Sequence, residues 1–247
     1  MNSNFIEAVA SNVGFVMGFL GIVLVMFAVA YAFEKYANIK NGVKERILST
    51  RKVAVIGMFS AIAAVLFVLD FPLPFLAPAF YKLDFSELPA LVAGFAFGPV
   101  AGVMVEFVKI LLNLIFDGTD TAFVGELANF VVGCGFILPA SIVYGFKKTK
   151  NNAIVSCVVG TIVITIVGTT FNALYLLPAF SKLYGMPLDA IIGMGTAINA
   201  NITDITSFVI IAVGPINLLK GTVISVLTLL IYKKISPIIK EGRKHTS

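Results

Sequence analysis

Residues 124–177 read VGELANFVVGCGFILPASIVYGFKKTKNNAIVSCVVGTIVITIVGTTFNALYLL, and this stretch decides the fold. Two apolar runs, Val124 to Tyr144 and Ala153 to Leu177, flank a basic turn of Lys147, Lys148 and Lys150. Each run is long enough to cross about 30 Å of hydrocarbon at about 1.5 Å rise per residue. The pair therefore reads as two membrane-spanning helices joined at a water-facing turn. The whole chain supports the same solvent: 59% of its 247 residues are apolar and 13% are charged, too few to cover a water-facing surface.

Working outward toward the N-terminus, Asp117 to Thr121 is a turn, Ala101 to Phe116 a span, and Glu87 to Phe97 a short span closed by Gly98-Pro99. Asp70 to Phe85 contains Pro72, Pro74 and Pro78 and cannot be a continuous helix, because each proline lacks an N–H and clashes with the preceding turn. Val53 to Leu69 and Val13 to Phe33 complete the spans on this side, separated by the charged stretch Glu34 to Lys52. On the C-terminal side, Pro178 to Asp204 reads as a long connection broken at Met186-Pro187, followed by a last span from Thr206 to Ile231 and a basic tail. The expected class is all-α, a polytopic helix bundle. Residues 51–247 supply one membrane domain, and residues 1–50 add a helix and a basic linker.

Charge sets the expected orientation, since cytoplasmic loops retain Lys and Arg. Lys35, Lys40, Lys44, Arg46, Arg51 and Lys52, the three turn lysines, and Lys233, Lys234, Lys240, Arg243 and Lys244 all fall on one side of this arrangement. Lys82 and Lys182 fall on the other, with Asp70, Asp84, Asp117, Asp120, Asp189 and Asp204. The basic ends are thus expected in the cytoplasm and the N-terminus, with Glu7, outside. A net charge of +5 distributed this way is a topological signal and not a nucleic-acid-binding surface. The first span is also unlike a signal peptide, because its basic residues follow the apolar run.

Catalytic chemistry finds few parts here. His245 is the only histidine and lies in the charged tail, so no HExxH zinc site exists, and no GxxxxGK[ST] loop is present to bind a nucleotide. Cys134 and Cys157 lie in apolar segments without metal-binding or disulfide spacing. No catalytic residue, metal or resident cofactor is expected.

Polar residues inside spans are costly unless paired or wet. Glu106, Lys109 and Asn113 share one helical face at i, i+3 and i+7, as do Glu126 with Asn129 and Asn217 with Lys220 at i, i+3. Glu106 with Lys109 reads as an internal ion pair. Asn172 precedes Tyr175 and Pro178 near the outer end of its span, and Gly214-Pro215 is expected to break the last helix. Taken singly, each polar side chain suits helix packing as well as a pocket. Gathered from three helices toward one end, they favour a solute pocket. Gly57 with Ala61 and Ser60 with Ala64 are four apart, which permits close helix packing within the chain or against another membrane subunit.

The ordered set of strings Leu83-Asp84-Phe85-Ser86-Glu87-Leu88-Pro89-Ala90-Leu91, Gly94 to Pro99, Glu106 with Lys109, Gly125-Glu126-Leu127-Ala128-Asn129-Phe130, Phe171 to Pro178 and Pro215 to Gly221 resembles the riboflavin-specific substrate-binding (S) components of energy-coupling factor (ECF) transporters. The resemblance covers about residues 51–234. It implies a six-helix subunit that captures riboflavin outside and works with a coupling membrane subunit and two ATPase subunits, riboflavin being the transported ligand. By the same resemblance, the Leu76 to Phe85 loop (Leu76, Phe80, Tyr81, Asp84 and Phe85), Glu126, Asn129, Asn172, Tyr175 and Lys220 bind the vitamin, and the small residues of the second span dock the coupling subunit. A flat tricyclic ring favours aromatic walls, for which Phe75, Phe80, Tyr81, Phe123 and Tyr175 are candidates. Its pyrimidine-like edge suits amides such as Asn172 and Asn217 and a donor such as Lys220. An S component for another vitamin, or a stand-alone secondary carrier, is the alternative. The seventh span lies outside the resemblance, and the connection 181–204 is either a lid or an inert insertion.

Overall fold

A computed structural model describes residues 13–43, 46–119 and 121–244, with side chains for those between 16 and 232. Glu7, Lys44, Asp120 and His245 lie outside the described residues, and so do the side chains of the basic tail from Lys233.

The helices are α1 Val13–Lys40, α2 Thr50–Val68, α3 Glu87–Phe97, α4 Pro99–Phe116, α5 Val124–Phe146, α6 Lys150–Phe171, α7 Leu177–Leu183, α8 Leu188–Thr196, α9 Ile205–Phe208 and α10 Gly214–Lys244. Six helical stretches among the described residues are long and apolar enough to cross a membrane, and α3 is a shorter apolar helix. At 11 residues, α3 reaches about 16 Å. Eight of its first ten residues are apolar or glycine and buried, so it is a core element wrapped by α2, α4, α5 and α10.

Local chemistry sets the ends. Ser49 caps α2 by accepting the Lys52 N–H, Thr149 caps α6 by accepting the Asn152 N–H, and Asp204 with Ser207 forms a capping box at α9. The proline-rich loop is closed by a two-stranded antiparallel ribbon, β1 Phe71–Pro72 with β2 Lys82–Leu83, and Lys82 pairs with Asp70 at 3.0 Å across its open end. Pro72 is tolerated because a two-stranded ribbon consists only of edges.

Two sequence expectations are corrected. The connection from Pro178 is not loop: α6 runs through a π-helical turn, Asn172–Leu176, directly into α7, and α8 follows. The last span is not broken at Gly214-Pro215 either, because a second π-helical turn, Val209–Val213, leads into α10. The cause is the same in both places. Leu177 N–H donates to Asn172 O and Gly214 N–H to Val209 O, each five residues back, immediately before a proline. The wider turn accommodates the missing donor and the ring of Pro178 or Pro215 without ending the helix.

The clusters of basic residues meet at one end of the bundle. Asn41 Nδ2 donates to Gly145 O at 3.0 Å, and Lys40 Nζ lies 5.5 Å from the Phe146 ring centre. Lys52 approaches Glu34 at 3.6 Å. Nearby, Phe95 stacks on Tyr144 with ring centres 4.5 Å apart, and Tyr232 packs edge-on against both. Phe95 is fully buried. Phe95→Ala is therefore expected to cost about 3–5 kcal/mol, seen as a lower thermal midpoint of the detergent-solubilised protein.

Candidate ligand-binding site

The opposite end of the bundle holds a cavity of about 410 Å³. It is lined from α2 (Phe67, Val68), the ribbon and its loop (Asp70, Phe80, Tyr81, Lys82, Asp84), α4 (Asn113, Asp117), α5 (Gly125, Glu126, Ala128, Asn129, Val132), the α6–α7 π-turn and α7 (Asn172, Leu176, Phe180), and α10 (Ile216, Asn217, Lys220). Gly118 and Thr121 of the α4–α5 turn complete the rim. The volume lies within the usual range of about 300–1,000 Å³ for small-molecule sites.

Gly168 allows the amides to converge. A Cβ there would lie 2.6 Å from Asn217 Nδ2, so α6 and α10 can bring Asn172 and Asn217 together only with glycine at this position. Asn172 Oδ1 accepts the Tyr81 hydroxyl at 2.6 Å while its Nδ2 donates to Gly168 O at 2.7 Å, and Asn217 Nδ2 donates to Val213 O at 2.9 Å. Glu126 accepts the Thr121 hydroxyl at 3.0 Å. Asn129 lines the cavity, and its buried Oδ1 has no hydrogen-bond partner among the described residues. Burial pushes the Tyr81 phenol pKa up, so this hydroxyl remains a donor.

Beneath the cavity lies a charged network that local spacing does not show. Lys220 Nζ is 2.9 Å from Asp84 and 2.7 Å from Glu87. Lys109 Nζ pairs with Glu106, lies 3.8 Å from Glu87, and donates to Ser86 Oγ at 2.9 Å. Ser86 in turn donates to Asp84 through its N–H and its hydroxyl. Burial opposes ionisation of Asp84, but Lys220 beside it prevails and holds the carboxyl below its usual range. Lys109 also sits 5.2 Å from the ring centre of Phe67, a cavity wall.

Of the expected site residues, Phe80, Tyr81, Asp84, Glu126, Asn129, Asn172, Asn217 and Lys220 share the cavity, while Leu76, Phe85, Phe123 and Tyr175 do not line it. Leu76 packs instead into the cluster of Ala77, Ile191, Ile192, Ile202 and Phe208, so the 181–204 connection covers the proline-rich loop from behind. Phe85 turns to Phe71 and the core. Phe123, in the left-handed conformation at the start of α5, is buried away from the cavity. Tyr175 lies within the π-turn and packs against Phe171, ring centres 5.0 Å apart with planes tilted by 38°. Phe75 is 75% exposed and walls nothing. Lys220 is engaged by two carboxylates, which take two of its three N–H donors. In α2, Gly57 and Ala61 are exposed, Ala64 is half-buried, and Ser60 is buried with its hydroxyl on Ile56 O, so only the first pair presents an outward small-residue face.

The roles of Ser86 and Glu87 escape local reading, because Glu87 meets lysines 22 and 133 positions away in sequence. The available signal was arithmetic: Lys109 and Lys220 in apolar helices require acids, and Glu106 alone does not suffice. Lys109→Met is expected to cost about 3–5 kcal/mol by stranding Glu106, since Glu87 keeps Lys220, and adding Glu106→Gln should restore most of it, as read from thermal midpoints and membrane yield.

Residues 51–232 match the family described as ECF transporter, substrate-specific component. The chain is 38% identical to the riboflavin transporter RibU of Staphylococcus aureus (strain TCH60), over 80% of this chain and 96% of the relative. It is 35% identical to the riboflavin transporter FmnP of Bacillus subtilis (strain 168), over 79% and 97%. A solved S component of a bacterial ECF transporter superposes with a TM-score of 0.60 at 37% identity, covering 77% of this chain and 98% of that one. The matched residues, the relatives and the superposed fold agree: this chain belongs to the substrate-specific components of ECF transporters.

Proposed function

We propose that the protein captures riboflavin from outside the cell and delivers it through a complex with the ECF coupling membrane subunit and two ATPase subunits. The observation that carries the reading is the single cavity in which the amides of Asn129, Asn172 and Asn217 meet aromatic walls from Phe67, Phe80, Tyr81 and Phe180. Relatives named as riboflavin transporters point to the same ligand. A flavin ring is flat and apolar on its faces and carries alternating donors and acceptors on one edge. Aromatic walls suit the faces, and amides, which both donate and accept, suit the edge. Phe67, Leu176, Phe180 and Ile216 replace Phe75, Phe123 and Tyr175 as the apolar wall.

In this reading Lys220 has two tasks. It neutralises Asp84 and Glu87, and its third N–H is available to a ring carbonyl. The cavity end faces outward and the basic end faces the cytoplasm, in keeping with the distribution of Lys and Arg. The exposed Gly57 and Ala61 face of α2 lies beside the bundle, where a coupling subunit can approach it. No chemical conversion of the vitamin enters this scheme.

Titration of riboflavin into the purified protein, followed by quenching of flavin fluorescence, tests the reading; absence of saturable binding would sink it. Asn172→Ala should weaken binding by about tenfold or more, because it removes an edge contact and frees Tyr81. Lys220→Ala should weaken binding and also lower the thermal midpoint, since it strands two buried carboxylates. Unchanged affinity in both variants would remove this site assignment.

A further inference from the structure

The match to the family begins at residue 51, after α1. That helix is nevertheless built into the bundle by more than apolar contact. Helix α4 begins at Gly98-Pro99, a start with no side chain able to cap it. The missing cap comes from another helix: Glu34 of α1, 3% exposed, accepts the Val100 N–H on Oε2 at 3.0 Å. Its other carboxylate oxygen lies 3.6 Å from Lys52 Nζ at the start of α2. Gly98, at φ +107, leaves the space that Glu34 fills, since a Cβ there would lie 2.5 Å from the Glu34 carboxyl carbon. One carboxylate therefore joins α1, α2 and the positive N-terminal end of α4.

From that anchor α1 runs along the reverse side of the cavity wall. Ala37 packs close to Gly145, Phe27 meets Phe107 of α4, and Phe19 meets Phe130 of α5. Phe107 and Phe130 also pack edge-on against each other. Phe130 is fully buried and adjoins Asn129, and α4 carries Asn113 and Asp117 to the same cavity. Without α1, the ring of Phe130 and its neighbours would face fluid acyl chains, which fix no rotamer. With α1, they face rings of fixed geometry.

We propose that α1 is a clamp acting within the chain: Glu34 is a positioning residue that, through α1, holds the α4–α5 wall of the ligand cavity and slows release of the bound vitamin. The proposal rests on the riboflavin reading above. Its mechanism is preorganisation, which acts chiefly on the dissociation rate.

The test measures riboflavin dissociation from the full chain by stopped-flow fluorescence, at a temperature well below the melting midpoint of every variant. Glu34→Ala should speed release by about fivefold or more, and in that background an oxidised Ala37→Cys/Gly145→Cys pair should return the rate to within about twofold of the unaltered chain, an effect undone by reduction. The pair suits a disulfide, because a Cβ on Gly145 would lie 4.0 Å from that of Ala37. If Glu34→Ala does not fold, Glu34→Met, which keeps the side-chain volume and removes the acceptor for the Val100 N–H, gives the same reading. A lower melting midpoint with an unchanged release rate would reduce α1 to a structural brace and overturn the clamp. Failure of the unaltered chain to bind riboflavin would overturn the riboflavin reading, and the clamp with it.

Discussion

Two lysine ammonium groups buried in a membrane bundle, Lys109 and Lys220, impose the constraint on which the other features depend. Lys109 is fully buried and Lys220 is exposed only where it meets the cavity, so the fold must bring carboxylates to them. Glu106 comes from the same helix as Lys109, but Asp84 and Glu87 come from the segment that links the ribbon to α3. The ion pairs thereby tie the proline-rich loop and α3 to both α4 and α10. A buried ion pair gains little net stability over an apolar replacement, but a broken one is expensive, so the network penalises wrong helix registers more than it rewards the right one. The ribbon is thus held over the cavity by charge from below and by the apolar cluster around Ala77 and Phe208 from behind.

The second constraint is backbone chemistry next to proline. Pro178 and Pro215 each follow a π-turn, one beginning at Asn172 and the other ending just before Gly214. A regular α-helix would have to kink at these prolines. The wider turns keep the helices continuous and change which side chains face inward: Asn172 and Leu176 enter the cavity while Tyr175 leaves it. On the other helix, Ile216 and Asn217 follow the turn into the same space. Two helices of different sequence thus meet the cavity with the same device, and Gly168 lets them do so in contact.

These devices explain what was legible in the sequence. The order of the apolar helices, the position of the proline-rich loop and the clustering of basic turns follow from hydropathy, proline and charge, which act along the chain, and the structure retains them. Glu87–Phe97, however, is too short to be the span its apolar sequence suggests and is a core helix. Residues whose direction follows from ordinary helical spacing, such as Asn129 with Glu126 and Asn217 with Lys220, reach the cavity as read. Tyr175 was misplaced because its direction depends on a π-turn that residue spacing does not announce. Phe123 was misplaced because its left-handed backbone conformation is set by the α4–α5 turn. The acids that engage Lys220 lie 136 and 133 positions away, a relation that exists only after folding and so is not legible in the sequence. The helical character of α7 and α8 is hidden by two prolines that read as breaks: the π-turn accommodates Pro178 within a continuous helix, and Pro187 stands just before the N-terminus of α8, where proline costs little.

Helix α2 carries both an outward small-residue face and part of the cavity wall. Its middle presents Gly57 and Ala61 outward, while its C-terminal end supplies Phe67 and Val68 to the cavity. Phe67 also lies against Lys109, so this end is fixed to the charged network, and Lys52 near its other end pairs with Glu34 of α1. Helix α2 runs 19 residues without a proline, so no loop lies between its small-residue middle and its cavity end. In the docking proposed above, a coupling subunit on the Gly57 and Ala61 face would therefore sit on the same continuous helix that supplies Phe67 and Val68 to the cavity wall.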